Sequence, residues 1–327
     1  MDVVELREVT KSFGSVIAVD RLSLRVPRGS VYGFIGPNGS GKTTTLRMIM
    51  NIYYPDSGEV RVFGEPPRAW STDRIGYLPE ERGLYRRMRV RDLIVFYGRL
   101  KNGHRVEAAA DEWLERMGLS QWANRKVEAL SKGMSQKVQF IATVVAEPEL
   151  LILDEPFSGL DPVNAEVLRR VILELRDKGT TVIFSTHDMN VAEQMCDFIF
   201  MIHKGRKVLD GRLADIQAEF GADTIRLAVE DGRRMLQGIP GVIELVDRGQ
   251  VQELRVAHSV DPQDVLREAL ARARVRRFEV VQPSLHDIFL RIAGDGLVGS
   301  GPTAVETESG RPASRVNTSG PEGLSHA

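Results

Sequence analysis

The sequence holds 327 residues, 42% of them apolar, with a formal net charge of −1, which suits two folded domains or one large α/β domain and offers no overall field to gather nucleic acid. Its single cysteine, Cys196, excludes an internal disulfide framework and an all-cysteine metal site, and its apolar neighbours suggest a buried, inert thiol. No apolar stretch approaches the roughly 18 residues of a membrane-spanning helix, and the start MDVVELREVT lacks the basic-then-apolar order of a secretory signal.

Residues 3–35 read as short β segments. Positions 22–26 alternate apolar and polar until Pro27-Arg28-Gly29 turns the chain, and 31–35 form a mostly apolar run suited to a central strand. A glycine-rich loop follows, then helical spacing over 43–52. Residues 86–127 read as a helical insertion, with one helix marked by Leu93, Phe96, Tyr97 and Leu100. A second runs from Val106 to Met117, with Gly118 as its stop. A helix at 136–147 ends before Pro148, a buried strand at 150–153 follows, then a helix at 163–178 and a third core strand at 181–185. Helices between apolar strands predict a largely parallel sheet. After residue 212 the pattern resets. Strands at 224–229, 252–256 and 277–281 and helices around 265–273 and 284–292 predict a small α+β domain at 215–293. Residues 294–327, rich in Gly, Ser, Pro and Thr, are expected to be a disordered tail.

Gly36-Pro37-Asn38-Gly39-Ser40-Gly41-Lys42-Thr43 fits G-x-x-x-x-G-K-T without mismatch. The glycines let successive backbone N–H groups curl around phosphate oxygens, and the helix that follows points its positive end at them. Lys42 is placed to reach the β- and γ-phosphates, and the Thr43 hydroxyl to complete a Mg²⁺ shell. Leu150-Leu151-Ile152-Leu153-Asp154-Glu155 carries two carboxylates to a strand's carboxyl end, the ligand edge of a parallel sheet. Asp154 suits Mg²⁺, directly or through water, and Glu155 is placed to polarise the attacking water as a general base. The third core strand ends Ser185-Thr186-His187-Asp188, where His187 is positioned to contact the γ-phosphate and to keep water and Glu155 in line.

With GPNGSGKTT at 36–44, LSKGMSQK at 130–137, LLILDEP at 150–156, SGLD at 158–161 and STHD at 185–188 in this order, the chain resembles the ATP-binding subunits of ABC transporters. The resemblance covers about residues 3–293. It implies a P-loop NTPase core with an antiparallel β subdomain and a helical subdomain near 86–135, within an ATP-binding domain at 1–214. It also implies ATP and Mg²⁺ as cofactors, and Gly36, Asn38, Gly39, Ser40, Gly41, Lys42, Thr43 and Thr44 as the phosphate-binding set. Phe13 resembles the aromatic residue that stacks on adenine. In that family two ATP-binding domains pair head to tail, so Ser131 and Gly133 would touch the γ-phosphate held at the partner's Lys42, and Asp161 would sit at the shared interface. The partner is another copy or a related ATPase subunit. A separate polytopic permease would span the membrane, with this subunit at its cytoplasmic face and no nucleic acid as partner.

Two departures stand out. The signature has Lys132 and Met134 where glycine and glutamine are usual, and Glu80 occupies the place of a metal-contacting glutamine. YLPEERGLY at 77–85 and PSLHDIFLRIAG at 283–294 are similar to the exporter branch that includes sodium-efflux and drug-resistance ATPases. The segment 86–127 resembles the one that docks on the permease, with the groove beside Glu80 as the contact. A soluble ATPase of translation or DNA repair is a competing reading. So is a nucleotide-gated regulator, against which the intact Glu155 and His187 argue.

Overall fold

The computed structural model describes residues 2–67, 73–81, 83–101, 106–220, 224–230, 236–257 and 259–298. In chain order come β1 (Asp2–Phe13), β2 (Val16–Pro27), β3 (Val31–Ile35), α1 (Lys42–Ile49), β4 (Ser57–Val62) and β5 (Ile75–Leu78). Three helices follow, α2 (Val90–Leu100), α3 (Val106–Arg116) and α4 (Lys132–Val144). Then come β6 (Leu150–Asp154), α5 (Pro162–Asp177), β7 (Thr181–Thr186), α6 (Met189–Met195), β8 (Phe198–His203), β9 (Arg206–Arg212) and α7 (Leu213–Glu219). The remainder is β10 (Thr224–Val229), β11 (Val242–Asp247), β12 (Gln252–Val256), α8 (Pro262–Arg272), β13 (Val275–Val281) and α9 (Leu285–Val298).

The central sheet has the order β5-β6-β7-β3-β8-β9. All its pairs are parallel except β8 with β9. Its inner strands β3, β6 and β7 are buried on both faces because every second side chain enters a different core. Val31, Leu151, Leu153, Val182, Phe184 and Ile199 face the helical side. Tyr32, Phe34, Leu150, Ile152, Ile183 and Phe200 face a second, antiparallel sheet of order β2-β1-β4. Full burial of such side chains contributes about 1.5–3 kcal/mol each, and a one-residue slip would exchange the two sets, so the register is strongly specified. That register decides the site. Asp154 pairs with Ser185, and Ile35 with Thr186, so β3, β6 and β7 end at one level.

The helical insertion appears as α2 and α3 packed on α4, with Gly118, at φ +68°, in the turn just past the end of α3. The helix expected at 136–147 begins earlier, at Lys132, because Ser131 caps it by accepting a hydrogen bond from Met134 N at 3.3 Å. Gly133 and Met134 are therefore helical residues rather than a free loop.

Beyond α7 lies a third sheet, antiparallel, of order β11-β12-β10-β13. Ile225, Leu227, Leu254 and Val256 pack beneath Val265 and Ala269 of α8 in a core of their own. α9 does not stay with that core. Its Leu285 and Ile288 are fully buried in the helical-side core, which also contains Ala192 and Met195 of α6, and Leu285 N donates to the Glu193 carboxylate. Ser284 and Asp287 cap α9 reciprocally, the carboxylate accepting from the Ser284 hydroxyl at 2.6 Å. The helix continues through Val298, past the position where a disordered tail is expected, and residues 299–327 of that tail lie outside the described residues.

Candidate functional site

The loop 36–41 joins the end of β3 to the start of α1. Gly41, at φ +108°, precedes the first helical residue, and a Cβ there would lie 2.5 Å from the Ala18 carbonyl oxygen. A Cβ on Gly36 would lie 2.2 Å from the Ile202 carbonyl oxygen. Only glycine lets the loop pass between β2 and β8 at these points. Lys42 is buried. Its Nζ donates to the carbonyls of Gly36 at 2.7 Å and Pro37 at 3.2 Å, which folds the side chain back across the loop. It also stands 3.9 Å from Glu155 Oε1. Burial pulls its pKa below the usual lysine value, and the Glu155, Asp154 and Glu80 carboxylates push it back up.

Asp154 closes β6. Its Oδ1 accepts from Ser185 Oγ at 2.5 Å and from Thr43 Oγ1 at 3.3 Å. Ser185 Oγ in turn accepts from Glu155 N at 3.0 Å, so one hydroxyl on β7 fixes both acidic residues. Glu155 is 9% exposed and has a left-handed backbone at φ +49°. Its Oε1 lies 3.0 Å from Nδ1 of His187, which is itself largely exposed.

Ala18, Asn38, Gly39, Ser40, Gly41, Lys42, Thr43, Thr44, Glu80 and Glu155 line one cavity of about 300 Å³. Glu80 therefore faces the same space as the phosphate loop. Phe13 does not line it; it stands at the end of β1, 45% exposed, edge-on to Tyr53 at 5.3 Å between ring centroids. Ser131 and Gly133 lie at the start of α4. Asp161 caps α5, accepting from Asn164 N at 3.0 Å, and that backbone bond holds its carboxyl below the usual aspartate range. None of these three lines the cavity.

The arrangement fits a magnesium nucleotide. Ser40 Oγ is buried in the loop with no protein partner, a polar atom that a phosphate oxygen would satisfy. Thr43 and Asp154 offer hard oxygen donors side by side, the set magnesium prefers. Ser185 and Ala18 carry no role in the sequence analysis. Ser185 belongs to the STHD run, and its position opposite Asp154 emerges only from the pairing of β6 with β7.

The profile of the ABC transporter family matches residues 19–158, and that of the C-terminal domain of DrrA1-3-like ATP-binding proteins matches residues 211–293. The chain is 41% identical over 288 residues to the uncharacterized ABC transporter ATP-binding protein YhaQ of Bacillus subtilis (strain 168), covering 88% of this chain and 97% of that protein. It is 32% identical over 297 residues to the Nod factor export ATP-binding protein I of Sinorhizobium fredii (strain NBRC 101917 / NGR234), covering 89% and 86%. Among solved structures, an ATP-binding subunit of an ABC transporter superposes with a TM-score of 0.62 at 28% identity, covering 67% of this chain and 93% of that one. The phosphate loop on β3, the acidic pair on β6 and this likeness along most of the chain lead to one assignment: the protein belongs to the ABC transporter family, as one of its ATP-binding and ATP-hydrolysing subunits.

Proposed function

We propose that this subunit powers export through a separate membrane permease, and that it works as one half of a head-to-tail pair of ATPase subunits at the cytoplasmic face of the membrane. The observation that carries the reading is the meeting of Lys42, Thr43, Asp154, Glu155 and His187 on one edge of the central sheet. Export is favoured by the Nod factor export relative. Among the described residues no helix is long and apolar enough to cross a membrane, and in this reading the transport path belongs to a separate permease.

In this reading the loop N–H groups and Lys42 bind the triphosphate, with Asn38, Ser40 and Thr44 in the cradle and Phe13 against adenine. Thr43 and Asp154 would hold Mg²⁺, with Glu80 facing the same cavity. The ion, when bound, neutralises charge on the phosphoryl group being transferred. Glu155 accepts a proton from the attacking water, and His187, 3.0 Å away, keeps the carboxylate in line. Ser131 and Gly133 complete the site of the partner subunit across the interface, with Asp161 between the two. Binding closes the pair and hydrolysis reopens it, which gives the permease its alternation.

The permease contact is assigned to a cleft of about 710 Å³ between β5 and α2, lined by Tyr77, Leu84, Tyr97 and Leu100 with Glu80 and Glu81 at its edge. Affinity purification of the full-length chain from membranes is expected to bring down a polytopic membrane protein, and Leu100→Asp to release it while leaving ATP binding intact. Recovery of ribosomes or DNA instead would favour the soluble ATPase reading.

A further inference from the structure

Glu155 needs something to hold it. A left-handed backbone strains a non-glycine residue and persists only where the surroundings enforce it. On one side, its N–H donates to Ser185 Oγ at 3.0 Å, and its carbonyl accepts from Ser158 N at 3.1 Å. On the other side the restraint comes from α4. Gln136, 7% exposed, donates its Nε2 hydrogen to the Pro156 carbonyl, one peptide beyond Glu155. Gln139, also buried, sits one turn further along and donates to the Glu81 carbonyl at 3.4 Å. Lys132 lies over the next part of the same loop: a Cβ on Gly159 would come within 2.5 Å of its Nζ. Residues 132, 136 and 139 fall on one helical stripe. Together with Glu80, Glu81 and Glu155 they wall a cavity of about 420 Å³.

We propose that Gln136 is a positioning residue for hydrolysis: through the Pro156 carbonyl, the helix that starts at Ser131 keeps its own subunit's Glu155 aimed at the attacking water. A buried glutamine facing an apolar core would be a poor choice, whereas one facing a backbone carbonyl beside a strained acid is a clamp. In a head-to-tail pair the same helix presents Ser131 to the partner's nucleotide. Engagement of one site then bears on the base of the other through a single rigid element.

The inference rests on Glu155 being the base, and the test separates the two. ATP turnover, equilibrium ATP binding and thermal unfolding are measured on the full-length chain carrying Gln136→Leu, Gln136→Glu or Glu155→Gln. Gln136→Leu is expected to lower kcat about 10- to 100-fold, the effect of misplacing a catalytic group by about an ångström, with ATP affinity unchanged. In Gln136→Glu the introduced carboxyl can donate to the Pro156 carbonyl only when protonated. Its kcat relative to the parent should therefore rise as pH falls, while that of Gln136→Leu stays flat. If Gln136→Leu does not fold, the pH series on Gln136→Glu decides. Full kcat in Gln136→Leu, parallel loss of kcat and ATP affinity, or a flat pH ratio for Gln136→Glu overturns the proposal. A dead Glu155→Gln beside a fully active Gln136→Leu rejects the clamp alone. Retained turnover in Glu155→Gln rejects the base assignment itself.

Discussion

Glu155→Gln is expected to lower ATP turnover by about 10²- to 10⁴-fold, the usual contribution of a general base, while leaving ATP bound. The substitution is nearly isosteric, so the backbone bonds to Ser185 and Ser158 persist. The amide can also keep a hydrogen bond to the His187 ring, which stands 3.0 Å from the native carboxylate. What disappears is the capacity to accept a proton. The ion pair to Lys42, at 3.9 Å, disappears too. Its loss leaves the ammonium freer for the phosphates, so affinity should hold or rise. Phosphate release under single-turnover conditions, set beside nucleotide binding at equilibrium, checks both halves. Turnover within about threefold of the parent, well short of a general base's contribution, would mean that another group takes the proton.

Lys42→Ala should act on binding. The ammonium is the buried cation that the phosphate loop wraps, donating to two loop carbonyls at 2.7 and 3.2 Å. Asp154, Glu155 and Glu80 all bear on it. Without it, three carboxylates would surround the phosphate cradle with no buried positive charge beside them, and a triphosphate would add to the repulsion. A hydrogen bond from a charged donor is worth about 1.5–3 kcal/mol, so ATP affinity should fall about 10- to 150-fold. Titration with a fluorescent ATP analogue measures it, and Lys42→Met, which keeps most of the stem, separates lost charge from lost packing. If both variants bind ATP as the parent does, the ammonium acts only during the chemical step.

The positions proposed to carry the chemistry are legible in the sequence because each sits at a punctuation mark. Gly36–Thr43 follow an apolar strand, Asp154-Glu155 end one and His187 ends another, and the parallel order of those strands brings the ends together. The third sheet was readable in outline for the same reason, since Thr224–Val229 and Gln252–Val256 alternate cleanly. β9 was not. Its residues, Arg-Lys-Val-Leu-Asp-Gly-Arg, are polar enough for an edge strand and give no period of two. The start of α4 escaped because Gly133 and a first turn without acidic residues contradict the usual signals of a helix N-terminus, and only the Ser131 cap reveals it. Ser185 and Gln136 act through partners 31 and 20 residues away. Such partners depend on sheet order and helix packing, which no local pattern encodes.

In the proposed transport cycle, pairing of two chains around ATP is the central step. Sedimentation of the full-length Glu155→Gln chain, with and without Mg-ATP, tests it most directly, using Ser131→Arg in the same background as the control. Head-to-tail closure predicts a monomer that becomes a dimer on adding Mg-ATP, and no dimer when Ser131→Arg is added even though ATP still binds. A chain that binds Mg-ATP and remains monomeric, or a dimer indifferent to Ser131→Arg, would contradict it.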